Sequence, residues 1–109
     1  LVERYRAENR VIFIDFTARW CATCQTNSKL AIETTEVSQF IRENGIAPLL
    51  ADWSEPSEVI EENLKKLGRN SIPLIVIWVP GHDQPMLIDG LVTKAKVLSA
   101  LDFAVKNAK

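Results

Sequence analysis

The hydrophobic pattern changes period several times along this chain, and each change marks an element. Val11 to Phe16 reads Val-Ile-Phe-Ile-Asp-Phe, β-branched and aromatic, with one polar break at Asp15. A run apolar at nearly every position predicts a central strand covered on both faces. Ala47 to Trp53 predicts a second strand, with Pro48 confined to its beginning. Pro73 to Val79 predicts a third. Met86 to Ile88 predicts a short fourth, antiparallel to the third beyond the Pro80-Gly81 turn.

Between these runs the period lengthens to that of a helix. Leu1 to Glu8 predicts a first helix, with Val2 and Tyr5 sharing a face and Asn9-Arg10 ending it. Ala22 to about Ile32 predicts a second, with Asn27, Leu30 and Ala31 near the register of Cys24. Thr34 and Thr35 offer caps for a further piece whose stripe is Val37, Phe40 and Ile41, stopped by Asn44-Gly45. Ser54 is the expected cap of the next helix, with Glu55 and Glu58 in its first turn. Val59, Ile60, Leu64 and Leu67 form its expected buried stripe, and Gly68 stops it. Thr93 caps a last helix carrying Val97, Leu98, Leu101, Ala104 and Val105 on one side. A helical connection makes the first two strands parallel with a right-handed crossover. The expected fold class is α/β, a mixed four-stranded sheet flanked by helices on both faces.

Composition narrows the function classes. The 109 residues predict one domain, 1–109, and the 47% hydrophobic fraction suffices for one core. The net charge of -1, with no run of one sign, gives no footprint for nucleic acid or an acidic membrane surface. No apolar run approaches the roughly 20 residues that span a bilayer. The chain starts at Leu1 and enters helical pattern at once, so we expect a domain excised from a longer protein.

The chemistry concentrates where the first strand runs into the second helix. Both cysteines of the chain, Cys21 and Cys24, stand there as Cys-x-x-Cys. Aligned N–H groups at a helix start stabilise a thiolate, which is the nucleophilic form of the group. Cys21 is the candidate nucleophile, and Cys24, one turn on, can resolve a mixed disulfide. An inert structural bridge is the alternative, weakened because so short a loop constrains little of the chain. A metal site wants about four ligands. The single histidine, His82, falls in a predicted loop, so no metal is assigned within one chain. Two chains sharing a metal through both pairs remain a further alternative. Asp15 sits among apolar residues, where burial raises a carboxyl pKa, so it can take a proton from Cys24. Trp20 is expected beside the sulfurs, and Trp53 and Trp78 in structural roles. Ala22 and Thr23 carry no charge to stabilise the dithiol further, which favours a reductant over an oxidant.

Three features in order resemble the thioredoxin superfamily: Asp15, Trp20-Cys21-Ala-Thr-Cys24, and Ile72-Pro73 before a later strand. The resemblance implies the thioredoxin fold and protein-disulfide reductase activity, with Asp15 as the buried acid. It also implies a cis peptide at Pro73, and a docking role for Trp20, Ile72 and Pro73. A narrower resemblance lies in Phe16-Thr-Ala-Arg-Trp-Cys-Ala-Thr-Cys-Gln-Thr-Asn27, Ala51-Asp-Trp53 and Ile72-Pro-Leu74. These look like the C-terminal thioredoxin-like domain of the thiol:disulfide interchange protein DsbD, with Arg19 where relatives often carry an acid. That resemblance implies the periplasmic face of the bacterial inner membrane. It implies electrons received from a transmembrane domain of the same parent chain and passed to other redox domains as protein dithiols or disulfides. No cofactor beyond the Cys21–Cys24 disulfide is expected, and the isolated domain is expected to be a monomer. A free-standing cytoplasmic thioredoxin and a non-catalytic binding module are the competing readings.

Overall fold

The first strand, β1 (Ile12–Thr17), is buried along its whole length. The computed structural model describes residues 2–108, and side chains from Arg4 onward. Leu1 and the Val2 side chain, which belong to the expected first helix, lie outside the described residues. That helix, α1, spans Val2–Ala7 and ends on Asn9 at φ 56°, a left-handed conformation asparagine tolerates. Two cation–π contacts hold this end together: the Arg6 guanidinium lies 4.7 Å from the Trp78 ring centroid and that of Arg10 lies 4.9 Å from the Tyr5 centroid.

After β1 come α2 (Ala22–Asn27), a π-helical turn over Ser28–Ile32, and α3 (Thr35–Glu43). Strand β2 (Ala47–Asp52), helix α4 (Glu58–Lys66), the hairpin strands β3 (Leu74–Trp78) and β4 (Met86–Asp89), and helix α5 (Lys94–Lys106) complete the order. The sheet runs β2-β1-β3-β4, with β1–β2 parallel and the other two pairs antiparallel. The α/β class, the mixed sheet, the parallel β1–β2 pair and the β3–β4 hairpin are those expected from the pattern; the antiparallel pairing of β1 with β3 adds to them.

Alternation along the strands divides the core in two. Phe13, Ile75 and Ile77 face α3, α5 and the π-turn, meeting Val37, Ala31, Val97 and Leu101. Ile12, Ile14, Phe16, Leu74 and Val76 face α4 and α1, meeting Leu64 and Tyr5. Helices therefore cover both faces, which is why β1 and β3 read as continuous apolar runs. Strand β2 is an edge. Ala47 and Trp53 donate their N–H groups to Val11 and Thr17. The odd positions of β2 thus bond inward, and Pro48 and Leu50 stand at outward-bonding positions.

Two helical expectations need correction. Helix α4 is capped by Ser57, whose hydroxyl accepts from the Ile60 N–H at 3.3 Å, not by Ser54. Pro56 biases Glu55 away from helical dihedrals, so a helix cannot begin at Ser54 and run through it. Within that helix Val59 is 69% exposed rather than buried; the buried stripe is Ile60, Leu64 and Leu67. In the second helix Leu30 is 69% exposed while Ala31 is fully buried. The buried face is Cys24, Asn27, Ser28 and Ala31, spaced i, i+3, i+4, i+7, and Leu30 falls outside it; a π-turn closed by Glu33 N–H donating to the Ser28 carbonyl ends the helix.

Candidate active site

Cys21 ends the loop leaving β1 and is itself the N-cap of α2. Its backbone is extended, at φ -100° and ψ 103°, and its Sγ accepts the Cys24 N–H at 3.2 Å. A sulfur thus takes the place an oxygen holds in the common caps. Cys21 and Cys24 are joined as a disulfide with Cα atoms 5.2 Å apart. Cys21 is 8% exposed and Cys24 1%. The pair packs on Ala18, Ile72 and Trp53. The Gln25 amide donates to the Ala18 carbonyl at 2.8 Å and ties α2 to the loop that delivers Cys21.

The surroundings are partly open. Trp20 is 63% exposed and stands edge-to-face on Trp53, with centroids 6.1 Å apart. Its Nε1 donates to the Trp53 carbonyl at 3.1 Å, so the orientation of the exposed indole is set by the end of β2. Trp53 therefore does more than fill core: it touches the cysteine cluster and holds Trp20. Arg19 N–H donates to the Ser54 hydroxyl, and Ser54 donates in turn to Asp52. Those contacts occupy the hydroxyl expected to cap α4. The Ile72–Pro73 peptide is cis. Ile72 packs against the cluster of Ala18, Cys21 and Cys24, and the Pro73 carbonyl accepts from Gly90 N–H at 3.2 Å.

Asp15 is buried on β1 but is not brought to the sulfurs by any hydrogen bond among the described residues. It lines a groove of about 600 Å³ with Glu33, Arg42 and Leu50, and this groove contains neither cysteine. Burial first, and the Glu33 carboxylate second, push the Asp15 carboxyl up to about 6. The structure thus gathers Cys21, Cys24, Ile72, Pro73 and Trp20 at one end of the sheet, with Asp15 further along the strand feeding it.

One site residue escaped the sequence. Asn27, on α2, is 1% exposed, and its amide bonds Gly90 and Val92 in the segment after β4. An asparagine in a helix carries no sign of a partner more than 60 residues away. Among the described residues no group of three or more His, Cys, Asp or Glu could hold a metal ion, and no helix is long and apolar enough to cross a membrane.

A family model described as thioredoxin-like matches residues 2–80. No curated protein matches the chain. Among solved structures, the C-terminal domain of Neisseria meningitidis DsbD in its oxidised form is 20% identical with a TM-score of 0.67, over 94% of this chain and 85% of that one. The reduced form of the same domain is 17% identical with a TM-score of 0.66, over 95% and 96%. A thioredoxin from Thermus thermophilus is 18% identical with a TM-score of 0.70, over 94% and 78%. Likeness at these identities is likeness of fold.

Proposed function

The chain belongs to the thioredoxin-like family and has the thioredoxin fold, and from that premise we propose that it is a protein-disulfide reductase working through Cys21 and Cys24. The observation that carries this reading is the Cys21–Cys24 disulfide itself, set at the N-terminus of α2 with the Cys21 sulfur accepting a helix N–H. A thiolate at that point is favoured by the same N–H and by the helix start.

The cycle balances within the two chains. In the dithiol form, the Cys21 thiolate attacks one sulfur of a partner disulfide. A mixed disulfide forms, the partner S–S bond breaks, and one partner thiolate leaves. Cys24, on losing its proton, attacks the Cys21 sulfur. The Cys21–Cys24 disulfide forms and the second partner thiolate leaves. Two electrons pass to the partner, the Cys24 proton goes to Asp15, and the two partner thiolates take up protons from solvent. Asp15, raised to about 6, is matched to accept the Cys24 proton near neutrality and release it through the groove it lines. Trp20, Ile72 and Pro73 form the surface on which the partner segment docks.

The finer reading is a DsbD-type electron relay. The domain would receive electrons from a transmembrane part of its parent chain and hand them to other redox domains at the periplasmic face of the bacterial inner membrane. Support comes from the motif run Phe16 to Asn27 and from the fold likeness to the Neisseria domain in both redox forms. No cofactor beyond the disulfide is required.

Exchange through variants tests the chemistry. Cys24→Ser traps a mixed disulfide through Cys21, and Cys21→Ser abolishes exchange; normal exchange by Cys21→Ser would overturn the assignment of the nucleophile. The equilibrium potential of the couple in graded thiol buffers tests the direction. A value of about -200 mV or lower agrees with an electron donor, and one near about -120 mV makes the domain an oxidant.

A further inference from the structure

Asn27 occupies a place that the helical register offers to an apolar side chain, and burying an amide there is costly unless both of its groups are paired. Both are paired. Nδ2 donates to the Gly90 carbonyl at 3.0 Å, and Oδ1 accepts from Val92 N–H at 3.0 Å. Gly90 N–H in turn donates to the Pro73 carbonyl, and Ile72 packs on the cluster of Ala18 and the two cysteines. Cys24 and Asn27 stand three residues apart, on one face of α2. The contacts close a ring: from Cys24 along the helix to Asn27, across its amide to Gly90, across the backbone to Pro73, and through Ile72 back to the cysteine cluster. Leu91, between the two residues Asn27 holds, is 67% exposed.

We propose that Asn27 is a positioning residue for partner docking: its amide holds the Gly90–Val92 segment and the Ile72–Pro73 backbone in place against the disulfide. Exchange with a protein disulfide, which must lie along this surface, depends on it more than exchange with a small disulfide, which need reach only the Cys21 sulfur. This rests on the redox reading above. The ring explains why a buried polar side chain stands at this site, where an apolar one would leave the Gly90 carbonyl and Val92 N–H without these partners.

The test compares reduced wild type, Asn27→Ala and Asn27→Asp in single-turnover reduction of insulin and of oxidised glutathione. Asn27→Ala lowers the insulin-to-glutathione ratio of kcat/KM about tenfold, the lower end of the scale for the two hydrogen bonds it loses, with the loss in KM for insulin rather than in kcat. The equilibrium potential of the couple stays that of wild type. Asn27→Asp keeps the acceptor for Val92 but not the donor for Gly90, falls between the two, and carries the same ratio test if the alanine variant does not fold. An unchanged ratio, or a shifted potential with equal slowing on both disulfides, overturns the proposal. Wild type active on glutathione alone overturns it too. Wild type inert to both disulfides overturns the redox reading first, and the positioning role with it.

Discussion

Asp15 is the residue whose surroundings most oppose its ordinary charge. Its folded pKa of about 6 lies above the value near 3.8 that it has when solvated. The folded state therefore binds the proton more tightly, and the ionised carboxyl opposes folding. That penalty is fully present above pH 6, shrinks as pH falls through 6, and is gone below about 4. The separation corresponds to roughly 3 kcal/mol at most. Asp15→Asn should accordingly be more stable than wild type at pH 7.5, with the advantage closing between pH 6 and pH 4. Urea midpoints across that range check the sign, and an advantage that grew on acidification would contradict it. Asp15, Cys21 and Cys24 could be found in the sequence because each breaks a pattern: a carboxyl in an apolar strand, a thiol pair at a helix start. Asn27 is polar on the register of Cys24, but its meaning depends on a segment that only the folded chain brings near.

At the scale of elements, the caps decide where helices begin. Ser57, Thr34 and Thr93 each place a hydroxyl on the N–H three residues ahead. Ser57→Ala should cost about 1 kcal/mol in denaturant midpoint. Ser54→Ala should leave α4 intact, and act instead on the Arg19 loop beside the disulfide. Equal losses of α4 helicity in the two variants, by amide exchange, would contradict this assignment. Both serines precede the same helical pattern, and the first of them is the cap expected from sequence. The choice is made by Pro56 and by the competing claim of Asp52 and Arg19 on the Ser54 hydroxyl. Leu30 has the same lesson: apolar and next to Ala31, it stands off the i, i+3, i+4, i+7 face of Cys24, Asn27, Ser28 and Ala31, and is exposed. Strands suffered less, because β1 and β3 are buried on both faces and a one-residue shift alters no polarity.

Across the whole molecule, the two sides of one helix carry unequal shares of the core. On α5, Leu101 is fully buried while Phe103 is 52% exposed. Leu101→Ala should destabilise by about 2–5 kcal/mol, the range for emptying a packed leucine site. Phe103→Ala should cost under about 1 kcal/mol. Unfolding in denaturant with unchanged slope measures both. The parallel first pair and the final hairpin were legible because they follow from pattern and connection length; the order β2-β1-β3-β4, which sets β3 beside β1, was not. Which end of which helix meets which loop was not, since that depends on contacts far apart in the chain.

The edge position of β2 has a consequence for how molecules meet one another. An open strand is a template on which a neighbouring molecule can add its own strand, and sheets then grow into aggregates. Here Pro48 holds one of the outward-bonding positions, so the template lacks a donor where growth would begin. Pro48→Val restores that donor and a β-branched side chain beside exposed Leu50. Concentration-dependent light scattering should rise in the variant and stay flat in wild type, which would make a single imino acid the guard that keeps an exposed sheet margin from joining its copies.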